Sequence, residues 1–381
     1  FTLRYGGRIL HDLQRHSEEY ARSFQQTHGM ITQHGVFLTG ASYWYPQFDA
    51  GLLQFELKVT LPADWKAMTQ GARLAHTAAD DSVVQQWRCN TPQEDIYLIA
   101  GPFTEYEQTR NGTQALVLLR TDDPTLAQQY LDATHEYIEL YTGLIGPYPF
   151  GKFAMVENFW DTGYGMPSFT LLGPRVIRFP FILNSSYPHE ILHNWWGNSV
   201  YVDYRTGNWA EGLTSYLADH LIKEQQGRGD AYRRTVLQKY TDYVDRQTDF
   251  PLTEFRSRHS ARTEAVGYGK TLMLFHMLRR QLGDASFIQG LQSFYKQYRF
   301  RIADFDAVQR AFGDTVEQPL GPFFSQWVER TGAPQLQVTG AQAHRQGKGY
   351  RLTAVIEQTQ PGEPYALQLP VAVHMEGTAQ A

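Results

Sequence analysis

Two histidines four residues apart are the residues of this sequence whose spacing most directly suggests chemistry. His189 and His193 enclose Glu190, Ile191 and Leu192. On a helix, positions four apart lie on one face, so both imidazoles can point at one metal ion. Neutral imidazole is a good zinc ligand, and Glu190 stands close enough to take a proton from a water in the same pocket. The spacing therefore predicts a zinc site with an adjoining general base.

A zinc site of this kind usually has a third protein ligand, and Glu211 is the candidate. It lies in the segment Asn208-Trp209-Ala210-Glu211-Gly212, where the next predicted helix begins. A helix that returns from a loop can place this carboxylate opposite the histidines. The alternative is that Glu211 is simply favoured near a helix N-terminus by the helix dipole. Because the two histidines lie upstream, we favour the ligand.

The segments before the histidines are mainly strand-like. Residues 10–28 have helical spacing among many polar residues, but residues 55–61 alternate as a half-buried strand does and end at Pro62. Several short strands in series favour a β-sandwich-like N-terminal domain. Further strands are predicted at 83–88, 95–100 and 114–120.

The pattern changes near residue 122. Residues 125–144 have helical spacing, and the turn-rich segment 161–165 separates two predicted strands, 152–158 and 167–172. The histidine segment is predicted as a helix over 185–197, with Ser185 or Ser186 as its cap and Gly197 at its end. More helices are predicted at 209–225, 229–248, 267–282, 285–298, 304–312 and 319–330. Strand patterns return at 335–339, 349–357 and 366–375.

Composition limits the classes of protein to consider. A chain of 381 residues suggests two or three domains, and its net charge of −5 gives no argument for nucleic acid or an anionic membrane surface as a partner. Cys89 is the only cysteine, so no intrachain disulfide forms. We expect no transmembrane segment, since no apolar run reaches about 18 residues. The N-terminus has no initiator Met or signal pattern and suggests a cut inside a longer protein. The sequence therefore does not decide between the cytoplasm and the periplasm or cell envelope as the compartment. It does not indicate the oligomeric state either.

The order of these motifs resembles the gluzincin aminopeptidases, the family of membrane alanyl aminopeptidase and leukotriene A hydrolase. His189-Glu190-x-x-His193 is followed by Trp209-x-Glu211-Gly212, as in that family. Three more segments agree with the family: His-Asn-Trp-Trp-Gly-Asn at 193–198, Tyr-Gly-Lys-Thr at 268–271, and Phe-Phe-x-Gln-Trp-x-x-x-x-Gly-x-Pro at 323–334. The resemblance covers roughly residues 95–380 and is that of a divergent, bacterial-type member.

The resemblance implies a multidomain α+β fold with three domains. These are an N-terminal β-rich domain over 1–121, a thermolysin-like α/β catalytic domain with a helical lobe over 122–334, and the start of a C-terminal β-sandwich domain over 335–381. It also implies roles for five residues. One zinc ion per chain would be held by His189, His193 and Glu211. Glu190 would be the general base, and Tyr268 would donate a hydrogen bond to the oxyanion, although Tyr268 can also be a packed aromatic at a helix start. Candidate supports of these groups are Asn198 and Asp219.

This sequence departs from the family in the segment that grips the substrate. The family has Gly-x-Met-Glu-Asn upstream of the zinc helix, and its glutamate binds the free α-amine of the substrate. The aligned segment, residues 164–168, keeps the methionine as Met166, and Gly163 and Gly165 flank Tyr164, but Pro167 stands in place of that glutamate. Proline carries no charge and no N–H, so the amine anchor is lost. Glu157, another carboxylate nearby in sequence, either replaces the anchor or, as we favour, faces solvent.

Two smaller departures concern the helices. The second histidine and the glutamate are 211 − 193 = 18 residues apart, one fewer than the family usually has. Loops absorb deletions readily, so Glu211 is retained as a ligand. Thr271 replaces a glycine of the family pattern, which a helix tolerates.

These observations predict a zinc metallopeptidase that acts on peptides with a non-standard recognition of the N-terminal amine. It can also cut internally or accept blocked substrates, since the anchor is absent. The alternative is a catalytically inactive peptide-binding relative of the same fold. A small-substrate hydrolase on this scaffold is a third class, for which the sequence shows no positive feature.

Overall fold

The computed structural model describes residues 2–15, 25–47, 51–371, 373–375 and 378–380, and it combines helices and sheets. The first part of the described chain is built from strands. A four-stranded sheet has the order β3-β4-β9-β6 and a three-stranded sheet has the order β5-β8-β7. The strands are β1 (Gln14–Arg15), β2 (Gln25–Gln26), β3 (Gly29–Thr32), β4 (Gly35–Leu38), β5 (Leu53–Pro62), β6 (Lys66–Met68), β7 (Ala72–Ala78), β8 (Ser82–Gln93) and β9 (Leu98–Gly101).

The two sheets share an apolar core, as in a sandwich. Along β5 exposed and less exposed residues alternate, because successive side chains of a strand point to opposite faces. Val59 and Leu61 of β5 pack in one cluster with Val36, Leu38 and Leu98 of the other sheet. The helix predicted for 10–28 is wrong where the structure describes it, since β1 pairs with β2. The rest of that prediction, residues 16–24, lies outside the described residues.

A five-stranded mixed sheet follows, in the order β10-β11-β12-β14-β13, with β13 at its edge. The side chain of Asp123 caps the helix that crosses between β11 and β12 by accepting from the N–H of Leu126. The elements are β10 (Thr104–Arg110), β11 (Thr113–Leu119), α1 (Pro124–Leu144), β12 (Lys152–Glu157), β13 (Gly163–Met166) and β14 (Phe169–Leu172).

Two expectations change at this sheet. Residues 163–165, predicted as part of a turn, begin β13, which pairs antiparallel with β14. Strand β11, assigned above to the domain 1–121, pairs in parallel with β12. Because β10 and β11 share the hydrogen bonds of this sheet, we propose that the domain boundary lies near residue 103 and not at 121.

The next part is mainly helical, and three helices contain wider π-helical turns. The helices are α2 (Ser186–Leu192), α3 (Ala210–Ser215), α4 (Leu221–Gln225), α5 (Gly229–Tyr243), α6 (Ala261–Glu264), α7 (Thr271–Leu282), α8 (Asp284–Tyr298), α9 (Phe305–Gly313) and α10 (Gly321–Phe324). The π-helical turns are Tyr216–His220, Ala265–Lys270 and Ser325–Glu329. A short parallel pair joins β15 (Val200–Val202) to β16 (Arg301–Ala303).

Helix α2 is shorter than the predicted 185–197. Its N-cap, Ser185, makes no capping bond, and its hydroxyl donates to the carbonyl of Phe181. The helix ends at Leu192, where the side-chain amide of Asn194 donates to the carbonyl of Ile191 at 2.8 Å. Such a local side-chain bond competes with the helical ladder. His189 and His193 nevertheless stay one turn apart, since His193 keeps helical dihedral angles.

The last part of the described chain is an exposed hairpin and a shorter strand pair. These strands are β17 (Leu336–Gln346), β18 (Gly349–Gln358), β19 (Val373–Met375) and β20 (Thr378–Gln380). Most of the hairpin is exposed on both faces. None of the helices in the described ranges is both long and apolar enough for a membrane span.

Candidate functional site

His189 and His193 lie together at the C-terminal end of α2, with ring centroids 4.8 Å apart. Nδ1 of His189 lies 2.8 Å from Oδ2 of Asp219, and Nδ1 of His193 lies 3.0 Å from the carbonyl oxygen of Trp196. Since a carboxylate and a carbonyl only accept hydrogen bonds, each neutral ring carries its proton on Nδ1. Each Nε2 therefore presents the lone pair that a metal ion binds.

Buried aromatic rings hold the histidine segment against the start of α3. Trp196 and Trp209 are fully buried and meet edge to face at 6.1 Å, and both contact Phe294 of α8. Nε1 of Trp209 donates to the carbonyl of Ala303 at 2.8 Å. This packing fixes the position of Glu211, two residues after Trp209.

Glu211 faces both imidazoles. Its Oε2 lies 3.5 Å from Nε2 of His189 and 3.4 Å from Nε2 of His193. One ligand atom from each of the three residues lies within 4.8 Å of the others. The separation of 18 residues therefore does not keep Glu211 from the histidines, and the three residues predicted as zinc ligands meet at one point.

The donor set and its surroundings fit a zinc ion. Two imidazole nitrogens and one carboxylate oxygen are the ligands of many catalytic zinc sites. Within the described residues, Oε2 of Glu211 is buried and accepts no hydrogen bond. Burial opposes a charge on His189, yet the carboxylates of Asp219 and Glu211 raise the pKa of His189 well above its ordinary value. The site thus favours a positive charge, and these three side chains are the ones that would hold Zn²⁺.

Glu190 lies beside this group and against strand β13. Burial raises the pKa of Glu190, and the two histidines oppose that rise. A Cβ at Gly165 would come within 2.5 Å of Oε2 of Glu190. The absence of a side chain at Gly165 therefore lets β13 approach the carboxylate closely, which fixes one wall of the site around the candidate base.

Tyr268 faces the same point from the π-helical turn before α7. Its ring is nearly parallel to that of His189, with centroids 6.4 Å apart, and the Arg258 guanidinium lies 5.4 Å from its centroid. Burial and, next, the Glu211 carboxylate raise the pKa of Tyr268 well above its ordinary value. The phenol therefore keeps its proton and is able to donate a hydrogen bond.

These groups line a cleft of about 850 Å³ that opens between the N-terminal sheets and the helical part. The first part of the chain contributes Glu94 and Tyr97, which both precede β9, and the loop after β15 contributes Tyr204. Residues 163–165 of β13 form another wall. Glu94 and Tyr204 were not predicted, because neither stands in a motif or a periodic pattern.

The residues predicted to bind the substrate do not all reach the cleft. Gly165 lines it, but Met166 packs in an apolar core and Pro167 is buried in the turn after β13. Glu157 neither faces solvent nor reaches the cleft. Its carboxylate is buried, 2.7 Å from Nη1 of Arg178, and it accepts the N–H of Arg120.

A buried lysine ties the turn after β13 to the histidine segment. Nζ of Lys152 lies 2.8 Å from Oγ of Ser168 and 5.7 Å from the centroid of Trp87. The N–H of Ser168 donates to Oδ1 of Asn194, the residue that follows His193. The sequence showed no sign of this network, since its members are far apart along the chain.

Because of Lys152, we expect the free energy of unfolding to increase with pH. Burial lowers the pKa of Lys152 to about 7, from an ordinary value of 10.5. Between these two values the unfolded chain binds more protons than the folded one, so the free energy of unfolding increases with pH, by up to about 1.4 kcal/mol per pH unit. Lys152→Met should remove this increase. Urea unfolding of the wild type and of Lys152→Met at several pH values between 7 and 10 checks this prediction. A difference between their free energies of unfolding that does not change with pH would contradict it.

Asp219→Asn should weaken zinc binding by about 10–100-fold. An amide carries no charge, so its hydrogen bond to Nδ1 of His189, which orients the ring, is weaker than that of the carboxylate. Competition with a chromophoric chelator measures this affinity. Asp230→Asn, at an exposed position in the first turn of α5, is the matched control. Equal affinities of all three proteins would show that Asp219 does not support the site.

Comparisons with known proteins find peptidases. The peptidase family M1 domain matches residues 184–327. Aminopeptidase 2, mitochondrial, of Saccharomyces cerevisiae is 22% identical over 334 residues, which are 79% of this chain and 34% of that protein. Aminopeptidase N of Lactococcus lactis is 21% identical over 271 residues, which are 64% of this chain and 32% of that protein. The chain thus spans about a third of the length of these curated relatives.

Solved structures show the same fold. The M1 zinc metallopeptidase of Deinococcus radiodurans superposes with a TM-score of 0.66 at 19% identity, over 85% of this chain and 74% of that one. A mutant of that enzyme bound to a Tyr-Ser-Ala substrate gives the same TM-score over 75% of its chain.

Proposed function

Because the chain belongs to the gluzincin aminopeptidases of peptidase family M1, we propose that it is a zinc metallopeptidase that hydrolyses peptide bonds. One zinc ion per chain would be held by His189, His193 and Glu211. The observation that carries the proposal is the meeting of these three side chains with Glu190 and Tyr268 in one cleft. A site for a structural ion has no need of a base and a phenol beside it.

The chain's own groups supply proton transfer and charge stabilisation. Zinc, when bound, supplies a Lewis acid that polarises the carbonyl and lowers the pKa of water toward about 7. Glu190 takes the proton of the attacking water and passes it to the leaving amine. Its raised pKa brings it nearer to neutral pH, where a general base works best. The hydroxyl of Tyr268 donates to the oxyanion that forms on the carbonyl.

Strand β13 offers a place for the peptide backbone. It is the edge of the five-stranded sheet, and its residues 163–165 line the cleft next to Glu190. An edge strand has backbone N–H and C=O groups without a partner strand, and an extended peptide can pair with them. We expect the substrate to lie along β13, with its scissile carbonyl beside the three metal ligands.

Recognition of the N-terminal amine is non-standard in this proposal. Pro167 stands where the family has its amine-binding glutamate. Glu157 is not one of the described residues that line the cleft, because it is paired with Arg178. Either another group binds the amine or the enzyme cuts without it. The lost anchor also supports the second candidate, an inactive peptide-binding relative.

Mapping the cleavage of peptides tests both candidates. The zinc-loaded protein is incubated with a mixed peptide library that contains free and N-acetylated members, and mass spectrometry locates each cut. We expect cleavage that stops when a chelator removes the metal. Stoichiometric zinc with no cut in any peptide would contradict the peptidase and favour the binding protein.

A further inference from the structure

The carboxylates that line the cleft differ in what they contact. Among the residues that the structure describes, five acidic ones line the cleft, and four of these already have a role or a partner. Glu211 faces the histidines and Asp219 bonds to His189. Glu264 lies 2.8 Å from Nζ of Lys239 and 3.7 Å from Arg258. Glu190 is the candidate base. The fifth is Glu94.

Within the ranges that the structure describes, the carboxylate of Glu94 makes no hydrogen bond or ion pair. Its neighbour in sequence is different, since Asp95 accepts from the N–H groups of Gly40 and Ile96 and from the hydroxyl of Tyr45. Asp95 thus serves the fold, whereas Glu94 is open to the cleft.

Tyr204 lines the same cleft as Glu94 and the three predicted zinc ligands. Burial raises the pKa of Tyr204, and the carboxylates of both Glu211 and Glu94 raise it further, so both charges act on one phenol. Tyr97, which also lines the cleft, lies in the field of Glu94 as well. Glu94 thus shares one cleft with the predicted zinc ligands and with these two tyrosines.

We propose that Glu94 binds the ammonium group of a peptide substrate, in place of the family anchor that Pro167 removes. This inference rests on the proposed peptidase function and names the group that selects its substrates. The ammonium is either the α-amine of the peptide or the side chain of a lysine near the cut. In both cases a carboxylate without a partner gains a charge-assisted hydrogen bond.

The electrostatics of the cleft wall agree with this role. The side chain of Glu94 is exposed. The surrounding protein nevertheless removes part of its water, and this loss of water, together with the nearby Asp95, raises the pKa of Glu94 to about 7. A carboxylate in this setting is less stable as an anion than in water. A cation that enters the cleft restores the favourable interaction, whereas a neutral acetylated terminus does not.

Peptide binding to an inactive enzyme tests this separately from turnover. The zinc-loaded Glu190→Gln protein and the double variant with Glu94→Gln are titrated calorimetrically with tetra-alanine, N-acetyl-tetra-alanine and N-acetyl-Lys-Ala-Ala-Ala. We expect the double variant to bind one cationic peptide at least about tenfold more weakly, with no change for N-acetyl-tetra-alanine. Loss with tetra-alanine identifies the α-amine, and loss with the lysyl peptide identifies the side chain.

Control variants separate this effect from general damage. Glu94→Asp keeps the charge and should restore part of the affinity. Glu56→Gln removes an exposed charge from β5, outside the cleft, and should leave all three affinities unchanged. Equal effects of Glu94→Gln on charged and neutral peptides, or no binding of any peptide, would overturn the role of Glu94. A failed peptidase would instead show as wild-type protein that binds these peptides selectively but cuts none.

Discussion

Replacing Glu190 with Gln lowers peptide turnover by at least about 100-fold and leaves zinc in place. Glutamine has the same shape as glutamate, so the close contact with Gly165 is kept, but its amide does not take a proton from water. General-base catalysis contributes about 10²–10⁴-fold to a rate, and that factor should be lost from kcat. The predicted metal ligands are other residues, so we expect the zinc content to stay at one per chain.

Paired measurements on one preparation check this result. Zinc is measured by mass spectrometry and kcat by the release of free amine from a peptide that the wild type cuts. Glu139→Gln, at an exposed position on α1, is the matched control and should behave as the wild type does. Turnover of the Glu190→Gln protein at the wild-type rate would show that another group acts as base.

Replacing Glu211 with Gln should remove the metal and with it the activity. The carboxylate of Glu211 is the single negative charge among the three predicted ligands, and it faces both Nε2 atoms. Mutation of a residue that hydrogen-bonds to a metal ligand typically costs about 10–100-fold in metal affinity, and loss of a charged ligand itself should cost more. We therefore expect this variant to bind zinc more than 100-fold more weakly than the wild type.

Competition with a chelator and thermal unfolding with and without zinc measure this loss. A ligand that binds only the folded protein raises its stability by mass action, so added zinc should raise the melting temperature of the wild type more than that of the variant. If the Glu211→Gln protein held zinc as tightly as the wild type, the third ligand would be another residue, and the shortened spacing after His193 would be the reason to look for it.

The two histidines among the predicted metal ligands could be placed together from sequence because their spacing follows from local geometry. His189 and His193 are four residues apart on a helix, and that relation holds although α2 ends at Leu192. Glu211 needed more than local rules, since buried tryptophans position it. Its assignment came from the order of motifs along the chain.

Other elements depend on contacts between distant residues and were missed or misplaced. Residues 163–165 are rich in glycine and resemble a turn, but pairing with β14 makes them a strand. Strand β11 looked like one more strand of the first domain, and only its pairing with β12 places it in the next sheet. Glu94 and Lys152 belong to no motif, so only their surroundings show what they contact.

The most direct test is a zinc titration of the metal-free wild-type protein during peptide hydrolysis. We predict no cleavage before zinc is added, a linear rise in rate with each addition, and a plateau at one ion per chain. Hydrolysis at full rate by the metal-free protein, or a rate that does not respond to zinc, would contradict the account.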